Sequence, residues 1–71
     1  MDMLTLKTDI NSKYDFQRVE CTLSNLFNIN ECTVDLEDSD KVLRVIGRGL
    51  NLDDVVGKVK ELGYNCEDLP N

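Results

Sequence analysis

The stretch CTVDLEDSDKVLRVI, residues 32–46, decides how this chain is read. Cys32-Thr33-Val34-Asp35-Leu36 alternates apolar and polar residues, the pattern of a half-buried strand. Cys32, Val34 and Leu36 are expected to face inward, and Thr33 and Asp35 outward. Glu37-Asp38-Ser39-Asp40 carries turn chemistry. Val42 to Ile46 is a second strand, with Leu43 and Val45 as its core face. Gly47 and Gly49 are expected to end it. Two strands joined by so short a turn must run antiparallel.

A helical stripe lies on either side of this hairpin. Upstream, Phe16, Val19, Leu23 and Leu26 recur at helical spacing, with Phe27 beside Leu26, predicting a helix over residues 13–27. Ser12 stands at its N-cap and Asp15 three residues on, in a capping-box-like arrangement. Asn28 and Asn30 suit the helix exit and a turn. Downstream, Asn51 caps a second helix with Asp53 and Asp54 in its first turn, where acids favour the helix dipole. Leu52, Val55, Val56, Val59 and Leu62 form its apolar stripe, and Gly63 stops it. Leu4 and Leu6 mark an opening strand, and residues 64–69 a short closing one.

The predicted order is β-α-β-β-α-β. It implies an α+β, ferredoxin-like domain: a four-stranded antiparallel sheet with two helices on one face. The other sheet face, with Thr5, Lys7, Thr33, Asp35 and Arg44, is left to solvent or a partner. Val42 and Ile46 point the same way.

Composition bounds what such a domain can do. The chain has 71 residues, 14 acidic and 8 basic, no histidine, and a formal charge of −6. One small domain over residues 1–71 is expected. Without histidine there is no imidazole base, no imidazole metal ligand and no His-based triad, so an enzyme is not expected. Excess negative charge argues against nucleic acid, which is held by neutralising phosphates. It favours a protein partner with a basic surface. No window approaches the ~20 apolar residues of a membrane span, and the N-terminus lacks signal-peptide character. A soluble cytoplasmic protein, monomeric or weakly dimeric, is expected. Cys21, Cys32 and Cys66 are odd in number and irregularly spaced, and read as reduced thiols.

The whole pattern resembles the heavy-metal-associated (HMA) family, which includes small copper chaperones and the metal-binding domains of P-type ATPases. Ile10 falls at the Met of that family's Gly-Met-x-Cys-x-x-Cys motif. Phe16, Val19, Glu20, Leu23 and Leu26 match the following helix, and Asn28-Ile29 the Gly-Val exit. Residues 32–36 match the second strand, Leu43, Val45 and Gly47 the third, and Leu62-Gly63-Tyr64 the closing Gly-Tyr. The resemblance places Tyr64 beside the metal loop. It also departs where the chemistry lies: the two Cys positions fall on Ser12 and Asp15, and the usual Gly on Asp9. Leu4 and Leu6 are one step out of parity with the motif, which predicts a bulge or insertion near the first strand.

The resemblance implies metal handling, but Ser12 and Asp15 offer hard oxygens poorly matched to Cu(I). The leading expectation is therefore an HMA-like domain without its thiolate site, acting by protein contact and needing no cofactor. One alternative keeps Cu(I) or Zn2+ binding or transfer through Cys21 and carboxylates. Another is a small-ligand regulatory module that dimerises on binding. The remaining clusters have simpler readings. Ser12 with Asp15, and Asn51 with Asp54, are caps rather than nucleophile–base pairs. Asp35, Glu37, Asp38 and Asp40 lack the spacing, central Gly and terminal Glu of an EF-hand. Lys41, Arg44 and Arg48 read as a charge-balanced surface. In the expected strand order Cys32 and Cys66 lie on opposite edges, three strand spacings or roughly 14 Å apart, too far to pair.

Overall fold

The computed structural model describes residues 1–69. It contains β1 (Asp2–Thr8), α1 (Lys13–Leu26), β2 (Asn28–Val34), β3 (Leu43–Arg48), α2 (Leu52–Glu61) and β4 (Cys66–Asp68). The strands form one antiparallel sheet in the order β2-β3-β1-β4. This is the expected ferredoxin-like α+β arrangement. Both helices begin where their caps place them. Ser12 Oγ accepts the Asp15 N–H at 3.1 Å and Asn51 Oδ1 the Asp54 N–H at 3.1 Å, each satisfying a donor the helix cannot. Gly63, at φ +100°, turns the chain out of α2.

Periodicity decides what goes inside. Leu6, Leu43, Val45 and Cys66 from the sheet, and Val19, Leu23, Val55 and Val59 from the helices, are buried together with Ile10 and Cys32. Thr8 is the one buried polar side chain among the described residues. Its hydroxyl donates to the Lys41 carbonyl at 2.6 Å and accepts the Ile10 N–H at 3.3 Å, so it carries no unmet group into the core.

Several boundaries differ from expectation. Residues 28–30 form the start of β2 rather than a turn, because β3 offers partners as far as Arg48. The helix accordingly stops at Leu26, whose side chain is 54% exposed instead of joining the stripe; half-buried Phe27 packs against the core in its place. β2 ends at Val34, so Leu36 packs half-buried from the hairpin loop, and Val42 precedes β3. The Asp35 N–H still donates to the Val42 carbonyl at 2.9 Å. Gly47 does not end β3 but lies within it, where a Cβ would collide with the Asn28 carbonyl oxygen. Gly49, at φ +65°, supplies the turn instead. β4 is only three residues long, shorter than the 64–69 expected.

The bulge expected near β1 is absent from the strand. The β1–β3 register runs unbroken from Asp2 opposite Gly47 to Leu6 opposite Leu43. The irregularity lies in β2, between Ile29 and Glu31. On the β1 side the alternation continues past the strand, with Leu6, Thr8 and Ile10 buried and Lys7 and Asp9 exposed.

Candidate functional site

Antiparallel pairing brings three loops to one end of the sheet: residues 9–12 after β1, 35–42 between β2 and β3, and 62–65 before β4. Thr8 lies opposite Cys66. The next facing positions, beyond the paired strands, are therefore Asp9 and Asn65. Asp9 accepts twice from Asn65, from its backbone N–H at 2.9 Å and from its Nδ2–H at 3.0 Å. The hairpin loop is tied in from the other side. The Thr8 N–H donates to the Asp40 carbonyl at 3.0 Å, and Lys7 pairs with Asp40 at 3.6 Å. Lys41 takes a positive φ of 44° there, held by its ammonium on the Leu36 carbonyl at 2.7 Å.

Ser12 and Asp15 sit at the head of α1 in this cluster. Ser12 is engaged as the N-cap. Asp15 Oδ1 accepts the Tyr64 hydroxyl at 2.8 Å, and the Tyr64 oxygen in turn accepts from Arg18 Nη1 at 3.1 Å. The Arg18 guanidinium also stands 5.8 Å from the Tyr64 ring centroid, within cation–π range. Partial withdrawal from water and the hydrogen bond to Asp15 push the Tyr64 phenol up, while Arg18 opposes them.

The result is a polar chain, Arg18–Tyr64–Asp15, next to a second tie, Asp9–Asn65. Ser12 and Asp15 are brought together, as the capping pattern predicts. Tyr64 lies beside the loop, where the resemblance places it. Cys21 is not part of the group: it is exposed on α1, six residues past Asp15 and so about 9 Å further along the helix axis. Cys32 and Cys66 are buried on opposite edge strands. Burial, with Glu20 adding to it, pushes the Cys32 thiol up to about 12, and burial pushes Cys66 up to about 11. Burial thus favours the protonated thiol at both positions at neutral pH. Among the described residues, no three His, Cys, Asp or Glu side chains gather within reach of one metal ion.

Arg18 and Asn65 were not singled out by sequence reasoning, and Asp9 was noted only as the motif's Gly position. Their partners are 46 to 56 positions away, beyond any local pattern. The signal for Asp9 and Asn65 was the strand register itself, which makes them neighbours once β1 is aligned with β4.

No protein-family model matches the sequence, and no curated protein matches it. The solved structures do contain a counterpart. A crystal structure of a copper binding domain from HMA7, a P-type ATPase, superposes with a TM-score of 0.83. The match covers 99% of this chain and 96% of that one, at 16% sequence identity. The two chains share one fold. Among the described residues no helix is long and apolar enough to cross a membrane.

Proposed function

We propose that this chain is a non-enzymatic domain of HMA fold whose loop end holds no thiolate-bound metal, and that it works through contact with another protein. One observation carries this reading. The positions at which the resembled motif has cysteines are Ser12 and Asp15, and Ser12 Oγ and Asp15 Oδ1 each already accept a hydrogen bond inside the protein. Ser12 Oγ is occupied by the helix terminus. Asp15 Oδ1 is occupied by the Tyr64 hydroxyl, whose own oxygen accepts from Arg18. A soft ion would find hard donors there and would have to break existing hydrogen bonds to reach them. The charge of −6 suits a partner with a basic surface.

The test is titration with Cu(I) under reducing, anaerobic conditions, and separately with Zn2+, followed by backbone NMR shifts. No stoichiometric change at residues 9–16 is expected. Tight one-to-one binding centred there would overturn the reading. A metal adduct by native mass spectrometry that vanishes in Cys21→Ser would instead support metal handling through the exposed thiol.

A further inference from the structure

The free edge of the sheet at β2 has the features of a strand-docking site. The Asp35 N–H points to β3, donating to Val42. The register then alternates, with Thr33 opposite Arg44 and Glu31 opposite Ile46. In an antiparallel ladder, residues 31, 33 and 35 turn their backbone groups inward, so Cys32 and Val34 turn theirs outward, away from β3. Beside this edge, between it and α1, runs a groove of about 410 Å3. Its apolar wall is Phe16, Cys32, Val34 and Leu36, and Lys13 and Glu20 stand at its rim. On the opposite face of the same strand, Glu31, Thr33 and Asp35 are exposed.

We propose that an extended segment of a partner protein pairs with Cys32 and Val34 as a fifth strand of the sheet, and that this segment alternates basic and apolar residues. Strand periodicity dictates that chemistry. Every second side chain of an added strand falls on the groove side, where Phe16 and Leu36 favour apolar groups. The intervening ones fall beside Glu31 and Asp35, which favour Lys or Arg. A second copy of this chain does not fit. Residues 28–36 contain no Lys or Arg, and β4, the other edge, reads Cys66-Glu67-Asp68, so either edge would bring carboxylates against carboxylates. The proposal rests on the reading that the domain works by protein contact, and it specifies the surface and the partner.

The experiment uses the whole chain and a capped seven-residue peptide of alternating lysine and valine, with a glutamate–valine peptide as control. Backbone NMR should show shifts centred on residues 31–35. The Cys32 and Val34 amides should become slower to exchange with solvent, and the Phe16 and Leu36 side-chain signals should move. The glutamate peptide should bind about tenfold more weakly. Val34→Pro, which removes an outward N–H without touching the β3 ladder, should abolish binding. Glu31→Lys, at an exposed site that leaves the core intact, should weaken the lysine peptide about threefold. Several outcomes would overturn the proposal: shifts centred on residues 9–16 or 37–40, equal affinity for both peptides, no binding of either, or a dimer formed through β2. The metal titration above reads a different segment. Metal bound at residues 9–16 with the peptide still on β2 would remove only the earlier reading, and a silent metal titration with no peptide binding would remove only this one.

Discussion

Cys21 is the one exposed thiol of three, and the reactivity of this chain should reduce to it. At pH 8 a thiol-disulfide reagent should modify one equivalent rapidly, and Cys21→Ser should erase that phase. Cys32 and Cys66 should react only on unfolding. Their folded values, about 12 and 11, lie above the ordinary 9.0. A raised folded value means the native state holds the proton more tightly. The stability this contributes is full below pH 9 and is lost as the pH climbs through 11 and 12, so denaturant midpoints should fall steeply in that range. Tyr64 acts in the same direction. Its contribution is intact below the ordinary tyrosine value of about 10 and is lost as the pH rises through its higher folded value. In a spectrophotometric titration, Tyr64→Phe should delete the ionisation that lies above the ordinary tyrosine value.

The helix caps and one glycine carry the strongest local constraints on the elements. Ser12→Ala leaves the Asp15 N–H without its acceptor and should cost about 1 kcal/mol in denaturant unfolding. Gly47→Ala should cost about 1–3 kcal/mol, since the obstacle is the Asn28 backbone and not a side chain that can turn away. These two positions also show what the sequence could and could not say. Ser12 was legible because capping is written within four residues. Gly47 was misread as a strand breaker because its meaning depends on how close β2 passes, and that is set by pairing across 18 to 19 positions. Asn28 and Asn30 misled for a related reason: residues with turn preference were drawn into a strand by available partners. At the site, the Ser12–Asp15 cap could be read directly. The Tyr64–Asp15 and Asp9–Asn65 bonds could not, because each joins residues about 50 positions apart.

For the molecule as a whole, ten among the described residues form the buried apolar cluster, and a domain of 71 residues has about 4–10 kcal/mol of stability in total. Leu23→Ala, at a fully buried site, should remove about 2–5 kcal/mol of it, enough to leave a visible unfolded fraction at 37 °C by circular dichroism. Charge acts at the same scale. Asp9, Asp15, Asp35, Glu37, Asp38 and Asp40 all lie in or beside the loops at one end of the sheet, where they outnumber the neighbouring cations Lys7, Lys13, Arg18 and Lys41. Raising ionic strength through the range where the Debye length falls to about 10 Å should raise the melting temperature by a few degrees. No comparable gain is expected in a variant neutralising Asp38 and Glu37. The strand order bears on time as well. β1, the first strand in the chain, lies in the interior of the sheet, hydrogen-bonded to β3 some 40 positions later and to β4 some 60 positions later. The β2–β3 hairpin can close early from neighbouring residues, but β1 must wait for β3 on one flank and for β4 on the other. Its refolding should therefore run at the slower pace of non-local topologies, and a nascent chain leaving the ribosome should stay vulnerable to proteases until β4 emerges.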